Sequence, residues 1–232
     1  MTKNYFDKII KKNVNKTIDE NKKINEAFFV QNKNFKIITD YLSNDNINNH
    51  IELYKGYAEN FNKISAELDS IDKENANKNH SLHRSTKLDE TFNMNATYLH
   101  ELYFANIGDN NSQINMDTLS YMRLSRDFGT FDNWQKDFIA CALSSRNGWA
   151  ITYLNLYTHS YMNCFIDSHD QNVPAGMLPI IVIDMWEHSF YKDYLKDSKS
   201  YLLAMMKQFK WDIIEKRFAK GDQIINIMRD SL

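Results

Sequence analysis

The chain has 232 residues, of which 43% are hydrophobic and 13% aromatic, and its formal net charge is -2. This length and composition predict a folded globular protein of one large domain or two small ones, and they exclude a disordered chain. The net charge shows no basic excess that would favour binding to nucleic acid or to an anionic membrane surface. The sequence also lacks the run of about 18 apolar residues that a membrane-spanning helix needs.

The cysteine count and the N-terminus bear on the compartment. Cys141 and Cys164 are the only cysteines and form no CxxC pair. This fits free thiols in a reducing compartment, although two cysteines could also form one bridge. Residues 1–23 have no apolar signal core, contain no arginine and carry acidic side chains, which argues against a targeting peptide. We therefore expect a cytoplasmic protein with no membrane partner.

The first half of the chain reads as an arm followed by two helices. Residues 1–42 are polar and lysine-rich, and we expect an arm with short helical pieces. After Ser43, a predicted N-cap, apolar side chains recur at steps of three and four as far as Leu68, which predicts a long amphipathic helix. A polar connection follows over 69–87. A second helix is predicted from about Leu88 to Ile107, ended by Gly108.

The second half predicts a small sheet among helices. A short helix is expected near 116–124 and another from about Phe131 to Ala142. The segments "WAITYLNLY", "MNCFI" and "LPIIVID" are rich in aromatic and β-branched residues, which favours three strands. Pro179 fits an edge strand or the start of a strand. The remaining residues read as helical.

The predicted fold class is α+β, with a long antiparallel helical hairpin followed by a three-stranded antiparallel sheet with surrounding helices. We divide the chain into an arm (1–42), a helical-hairpin domain (43–110) and an α/β domain (111–232).

Four side chains could meet as metal ligands: His50, His100, Asp184 and His188. The first two lie on the inner faces of the two long helices, and the other two bracket the end of a buried strand. Three imidazoles and one carboxylate suit Mn, Fe or Zn. Taken singly, a histidine on the inner face of a helix is more often a hydrogen-bonded core residue than a ligand, and an Asp–His pair at spacing four is common. Spacing alone therefore leaves the metal site a hypothesis.

Five motifs in chain order resemble those of the iron/manganese superoxide dismutase family. "DMWEHSFYKDY" (184–194) is similar to the family signature DxWEHxxYxDY, and "NHIELYKGYAENFNKI" (49–64) is similar to the first ligand helix of a divergent branch, H-x-x-L-Y-x-G-Y. "YLHELYFANIG" (98–108) resembles the second ligand helix of that branch. "DFGTFDNWQKDFIACALSSRNGWAITYL" (127–154) and "IDSHDQNVPAGMLPIIVIDMWEHSF" (166–190) complete the series.

The resemblance implies a superoxide dismutase with one Mn or Fe ion per subunit, bound by His50, His100, Asp184 and His188. The implied reaction is a ping-pong cycle in which the metal takes an electron from one superoxide, releasing dioxygen. It then gives an electron to a second superoxide, which leaves as hydrogen peroxide. A homodimer is also implied, with a tetramer as the alternative.

The resemblance also gives roles to residues around the metal. Tyr57 matches the tyrosine at the substrate funnel, and His169 stands where the family has a glutamine or histidine that bonds the metal-bound solvent. Trp149 and Trp186 would line the site and keep it dry. Tyr54 stands where better-known members have a histidine beside the site. Without the resemblance, these tyrosines and tryptophans could be plain aromatic core.

Other implied roles concern the subunit interface and the funnel. Glu187 would reach across a dimer interface to the partner's His188, and Tyr191 would lie at the same interface. Ser198 stands where the family usually has an arginine near the funnel, with Lys196 and Lys199 close by. Positive charge there would steer the superoxide anion.

Two other functions stay open from the sequence. The fold could be retained in a catalytically weak metal-binding or interaction protein, because Tyr54, His169 and Ser198 depart from the common pattern. A different non-haem iron enzyme, such as an oxygenase, would more often use two histidines and one carboxylate, which leaves more open positions than four ligands do.

Overall fold

The computed structural model describes residues 30–108 and 113–229. Its elements, numbered in chain order, are α1 Asn44–Ser70, α2 Leu82–Asn106, α3 Leu119–Phe128, α4 Phe131–Ser144, β1 Gly148–Asn155, β2 Tyr161–Asp167, β3 Met177–Asp184, α5 Glu187–Tyr194, α6 Ser198–Met206 and α7 Trp211–Arg229. The predicted α+β class, with a helical hairpin before a three-stranded sheet, is confirmed.

The first helix of the hairpin begins where the sequence predicts. The Ser43 hydroxyl accepts a hydrogen bond from the Asn46 backbone N–H at 3.2 Å, which satisfies one of the free donors of the first turn. The apolar stripe of α1 faces α2 and is buried there. His50 and Tyr54 lie on this buried stripe.

The second helix begins earlier than predicted. It starts at Leu82 rather than near Leu88, because the Ser81 hydroxyl accepts a hydrogen bond from the Arg84 backbone N–H and caps the helix there. Most side chains of its first two turns face solvent, so no apolar pattern marks them. Gly108, with φ +89°, follows the end of α2 as predicted.

The described part of the arm, residues 30–42, contains no helix, so the expected helical pieces are wrong there. Its backbone is instead fastened to the hairpin. The Val30 N–H donates to Asn62 Oδ1, and Asn62 Nδ2 donates to the Val30 carbonyl, each at 2.8 Å. Phe35 packs against the rings of Tyr54 and Phe104, so the apolar residues of the arm cover the hairpin rather than form a helix of their own. The expected pieces within 1–29 lie outside the described residues.

The predicted short helix is displaced by a few residues. Helix α3 starts at Leu119, after the cap at Thr118, and extends to Phe128. Gly129, with φ +81°, then turns the chain into α4. Helix α4 begins at Phe131, as the sequence predicts.

The three strands form one antiparallel sheet in the order β2-β1-β3. Strand β3 is an edge strand of this sheet, where proline is tolerated, so the predicted edge position of Pro179 is confirmed. The central strand β1 is buried along nearly its whole length. A Cβ at Gly148 would lie 1.9 Å from the Ile166 carbonyl oxygen, so only glycine fits between these strands. The register then places Trp149 opposite Asp184.

The hairpin and the sheet share one apolar core. A continuous cluster of buried side chains connects α1 and α2 with the sheet and with helices α4, α6 and α7. The proposed division at 42/43 and 110/111 stays a prediction. Over the ranges 30–108 and 113–229, no helix has the length and apolarity that crossing a membrane requires.

Candidate metal centre

The four candidate ligands meet at one point, although they come from four different elements. His50 lies on α1, His100 on α2, Asp184 at the end of β3 and His188 in the first turn of α5. Each offers a ligand atom, and these atoms all lie within 4.8 Å of one another. Asp184 Oδ2 is 3.1 Å from His50 Nε2, 3.5 Å from His100 Nε2 and 3.2 Å from His188 Nε2. The described residues contain no second group of this kind.

The junction between β3 and α5 holds Asp184 rigidly. Its Oδ1 accepts a hydrogen bond from the Trp186 backbone N–H at 2.8 Å, which leaves Oδ2 facing the imidazoles. Its carbonyl oxygen accepts from the Tyr201 hydroxyl at 2.9 Å and from the Ser189 hydroxyl at 3.1 Å. Because α5 starts directly after Trp186, His188 turns back toward the carboxylate four residues before it.

His100 presents a free nitrogen to the cluster. Its Nδ1–H donates to the Ala96 carbonyl at 2.6 Å, which assigns the proton to Nδ1 and leaves the lone pair on Nε2. Nε2 is buried and has no hydrogen-bond partner. A buried polar atom without a partner is costly, and a metal ion at the centre of the cluster would satisfy it.

Burial sets the charge of the cluster. It lowers the pKa of His50, and it lowers the pKa of His100 well below its usual value, with the neighbouring His50 acting in the same direction. Burial acts to raise the pKa of Asp184, but the imidazoles of His188 and His50 outweigh it and the pKa is lowered. Neutral imidazoles and an ionised carboxylate are the forms that bind metals. The four residues therefore fit one metal ion of the Mn, Fe or Zn type.

His169 lies beside the cluster, with its ring centroid 5.8 Å from that of His100. Its Nδ1 accepts a hydrogen bond from the Trp149 indole N–H at 3.0 Å, so the ring proton is on Nε2. That Nε2 is buried without a partner. Burial lowers the pKa of His169 to about 4, with His188 acting in the same direction and Asp184 opposing. At neutral pH His169 is therefore an uncharged donor with a free N–H.

The two predicted tyrosines take different positions. Tyr57 is half-buried, and its ring centroid lies 5.4 Å from that of His100 and 5.0 Å from that of His169. Burial, with a smaller contribution from Asp184, raises its pKa. Tyr54 is fully buried, and its hydroxyl donates to Glu101 Oε1 at 3.0 Å.

Both predicted tryptophans border the cluster. The ring of Trp149 packs edge-on against His100 at 4.9 Å, and the ring of Trp186 stacks on His188 at 5.6 Å and on His169 at 4.9 Å. These aromatic faces leave His188 as the most open ligand, with 25% of its side chain exposed.

The residues expected at a subunit interface lie on the surface of the single chain. Glu187 and Tyr191 are exposed on α5, on either side of His188. Their contacts with a partner subunit stay predictions. Ser198 is half-buried at the start of α6, and Lys196 is exposed nearby.

Three residues around the site were missed in the sequence. Glu101 directly follows His100 and is buried. Its position on the inner face of α2 could have predicted that it lies near the site. Tyr201 and Ser189 hold the Asp184 carbonyl. Ser189 lies inside the quoted signature, but Tyr201 is remote in sequence and carries no local signal.

Comparison with known proteins places this site in a family. The family profile described as "Iron/manganese superoxide dismutases, C-terminal domain" matches residues 118–217. The "Superoxide dismutase [Fe]" of Aquifex aeolicus is 33% identical over 193 residues, which cover 82% of this chain and 90% of that protein. The protein of the same description from Cupriavidus metallidurans is 32% identical over 72% of this chain and 82% of its own length.

A manganese-named relative is similar over a shorter part. The "Superoxide dismutase [Mn] 1" of Halobacterium salinarum is 33% identical over 57% of this chain and 66% of its own length. Relatives named for iron and relatives named for manganese are thus both similar to this chain. On the extent and identity of these matches, the chain belongs to the iron/manganese superoxide dismutase family.

Proposed function

We propose that this protein is a superoxide dismutase in which His50, His100, Asp184 and His188 hold one Mn or Fe ion. The observation that carries the proposal is the convergence of these four ligand atoms within 4.8 Å, in a chain that belongs to this family. The reaction converts two superoxide anions and two protons into dioxygen and hydrogen peroxide. When bound, the metal supplies the redox couple that takes an electron from one superoxide and gives it to the next.

The protein's first task is to hold the ligands in one geometry. The hydrogen bond from His100 Nδ1 to the Ala96 carbonyl fixes which nitrogen faces the ion. The bonds to Asp184 Oδ1 and to its carbonyl keep the carboxylate in place during both half-reactions. Such outer hydrogen bonds tune the affinity and the potential of a metal site.

A second task is to supply hydrogen bonds and protons to the reacting oxygens. His169 is uncharged and keeps its free N–H because Trp149 occupies its other nitrogen. Tyr57 is protonated at neutral pH, as tyrosines ordinarily are, and burial raises its pKa further. The Tyr57 ring contacts both His100 and His169. Tyr57 and His169 are therefore placed to donate to an oxygen species that enters the cluster. The peroxide product needs two protons, and these donors would deliver them.

A third task is to keep bulk water out. The rings of Trp149 and Trp186 close two sides of the cluster. Exclusion of water strengthens the electrostatic interactions inside the site. We place the approach of the superoxide anion beside half-buried Tyr57, because the exposed flank of His188 belongs to the proposed dimer interface.

We further propose a homodimer, with a tetramer as the alternative. Glu187 and Tyr191 are exposed beside His188, which supports an interface where Glu187 reaches His188 of the partner subunit. The chain is proposed to act in the cytoplasm as an antioxidant enzyme, with no nucleic-acid or membrane partner.

The proposal is tested by loading the protein separately with Mn and with Fe and measuring the rate of superoxide dismutation. A rate near the diffusion limit, about 10⁸–10⁹ M⁻¹s⁻¹, is expected with at least one metal. Stoichiometric binding with negligible turnover would instead support the catalytically weak metal-binding protein.

The ligand assignment is tested by His188→Ala, with His83→Ala as the control. His83 is half-buried in the first turn of α2, far along that helix from His100. We expect His188→Ala to lose most bound metal and at least about 100-fold in rate, because a ligand is removed. The control should behave as the wild type. Full metal content and full rate in His188→Ala would refute the assignment.

A further inference from the structure

Residues 30–43, here called the tether, touch all three helices that carry the proposed histidine ligands. The tether binds α1 through Val30 and Asn62. It packs on α2 where Phe35 contacts Phe104. At its other end, the Ser43 N–H donates to Asp193 Oδ2 on α5 at 3.0 Å.

The centre of the tether forms a closed triangle with α1 and α2. Lys33 donates twice, from its backbone N–H to the Tyr54 hydroxyl oxygen at 3.0 Å and from Nζ to Glu101 Oε2. The Tyr54 hydroxyl donates in turn to Glu101 Oε1 at 3.0 Å. Each of the three residues therefore bonds both of the others, and we call this set the triad.

The triad is built around a buried acid. The Glu101 side chain is only 10% exposed, whereas that of Lys33 is 61% exposed. A buried carboxylate that loses its cation is left uncompensated, which is costly. The tether residue Lys33 therefore holds the acid of α2 and the tyrosine of α1 in one arrangement.

The triad lies next to the proposed ligands along both helices. Tyr54 is one turn after His50 on α1, and Glu101 directly follows His100 on α2. The rings of Tyr54 and His100 have centroids 6.5 Å apart. A rotation or slide of α2 against α1 would change the distance between the two ligand nitrogens, and the triad opposes both motions.

We propose that Lys33, Tyr54 and Glu101 position the metal centre by fixing α2 against α1, so that the tether controls how long the ion is retained. This inference rests on the proposed function, because it takes His50 and His100 as ligands. None of the three contacts the reacting atoms, so they are positioning residues.

The test compares the full-length manganese-loaded protein with Lys33→Met, Glu101→Gln and the double variant. The control is Lys36→Met, which removes an exposed lysine of the same tether. Two quantities are measured: the rate at which excess chelator removes manganese, and the electron paramagnetic resonance spectrum of the bound ion. The melting temperature of each metal-free variant shows whether it is folded.

We expect Lys33→Met to lose manganese about tenfold faster than the wild type and to show an altered spectrum, because Glu101 is left without its cation. The double variant should recover to within about threefold of the wild type, since its buried group is neutral. Glu101→Gln, nearly the same size as the native residue, should show a smaller change than Lys33→Met. The control should not change.

Two results would overturn the inference while leaving the proposed function intact. One is a wild type that binds manganese and is active, with all variants retaining the ion equally. The other is a lower melting temperature in Lys33→Met with an unchanged spectrum and unchanged metal loss, which marks a purely structural role. A wild type that binds neither Mn nor Fe overturns the proposed function, and this inference with it.

Discussion

At the scale of single residues, hydrogen bonds decide what each imidazole near the centre can do. His100 donates a hydrogen bond from Nδ1–H to the Ala96 carbonyl and keeps the Nε2 lone pair for the metal. His169 accepts a hydrogen bond at Nδ1 from the Trp149 indole N–H and keeps its Nε2–H for an incoming oxygen. Two histidines of the same type thus take opposite roles, because their partners differ.

Trp149→Phe should therefore lower the rate of superoxide dismutation while the protein stays folded. Without the indole N–H, the proton of His169 can move to either nitrogen, and we expect the rate of the metal-loaded protein to fall about tenfold. Trp134→Phe is the matched control, since it removes an indole bond to Thr152 Oγ1 of 2.9 Å elsewhere in the core. Nitrogen NMR of His169 reports the tautomer. Equal rates in both variants would show that the Trp149 bond has no catalytic role.

At the scale of elements, the chain order of helices and strands was readable because their apolar patterns are local. Helix α1 and strand β3 were predicted from spacing and β-branched content. The four ligands were found on the inner faces of the two long helices and at the junction that follows β3. The start of α2 was not readable, since its first turns face solvent. The contact of Lys33 with Glu101 spans 68 residues between two charged side chains, and no periodic pattern marks such a pair.

Arg217 on α7 connects the end of α2 with β3. No local sequence pattern predicts this connection. Its guanidinium donates to the carbonyls of Leu102 at 2.9 Å and Ile180 at 2.8 Å, and to Asn106 Oδ1 at 3.0 Å. Burial lowers its pKa to about 10. The planar guanidinium of arginine carries several N–H donors and can bond all three acceptors at once, whereas the single ammonium group of a lysine could not.

Arg217→Lys should accordingly lower the free energy of unfolding by about 2 kcal/mol, because buried carbonyls lose their donors. Urea denaturation measures this change. Arg84→Lys, at an exposed position on α2, is the control and should stay within about 0.5 kcal/mol of the wild type. If the two variants unfold at the same urea concentration, the connection between α7, α2 and β3 contributes little.

At the scale of the whole molecule, the site lies where the hairpin and the sheet meet in one core. Two ligands come from each half, so the centre forms only when both halves are packed together. The same burial that shapes the ligands keeps several imidazoles uncharged inside the fold. This links the stability of the metal-free protein to pH.

The metal-free protein should lose stability as the pH falls from 7 to 4. Burial lowers the pKa values of His50 and His100, and it lowers that of His169 to about 4, so the folded state stays unprotonated where the unfolded histidines bind protons below about pH 6.5. The unfolded state binds more protons in this window, and stability therefore rises with pH. His169 alone should contribute about 3 kcal/mol between pH 7 and pH 4.

His169→Gln isolates that contribution, because glutamine does not titrate and can still accept from the Trp149 indole. Urea unfolding of the metal-free variant at a series of pH values should show a flatter dependence than the wild type, by about 3 kcal/mol over the window. His80→Gln, at an exposed histidine, should keep the wild-type slope. An unchanged slope in His169→Gln would mean that His169 has the same pKa in the folded and unfolded states, which would contradict the lowering of that pKa by burial.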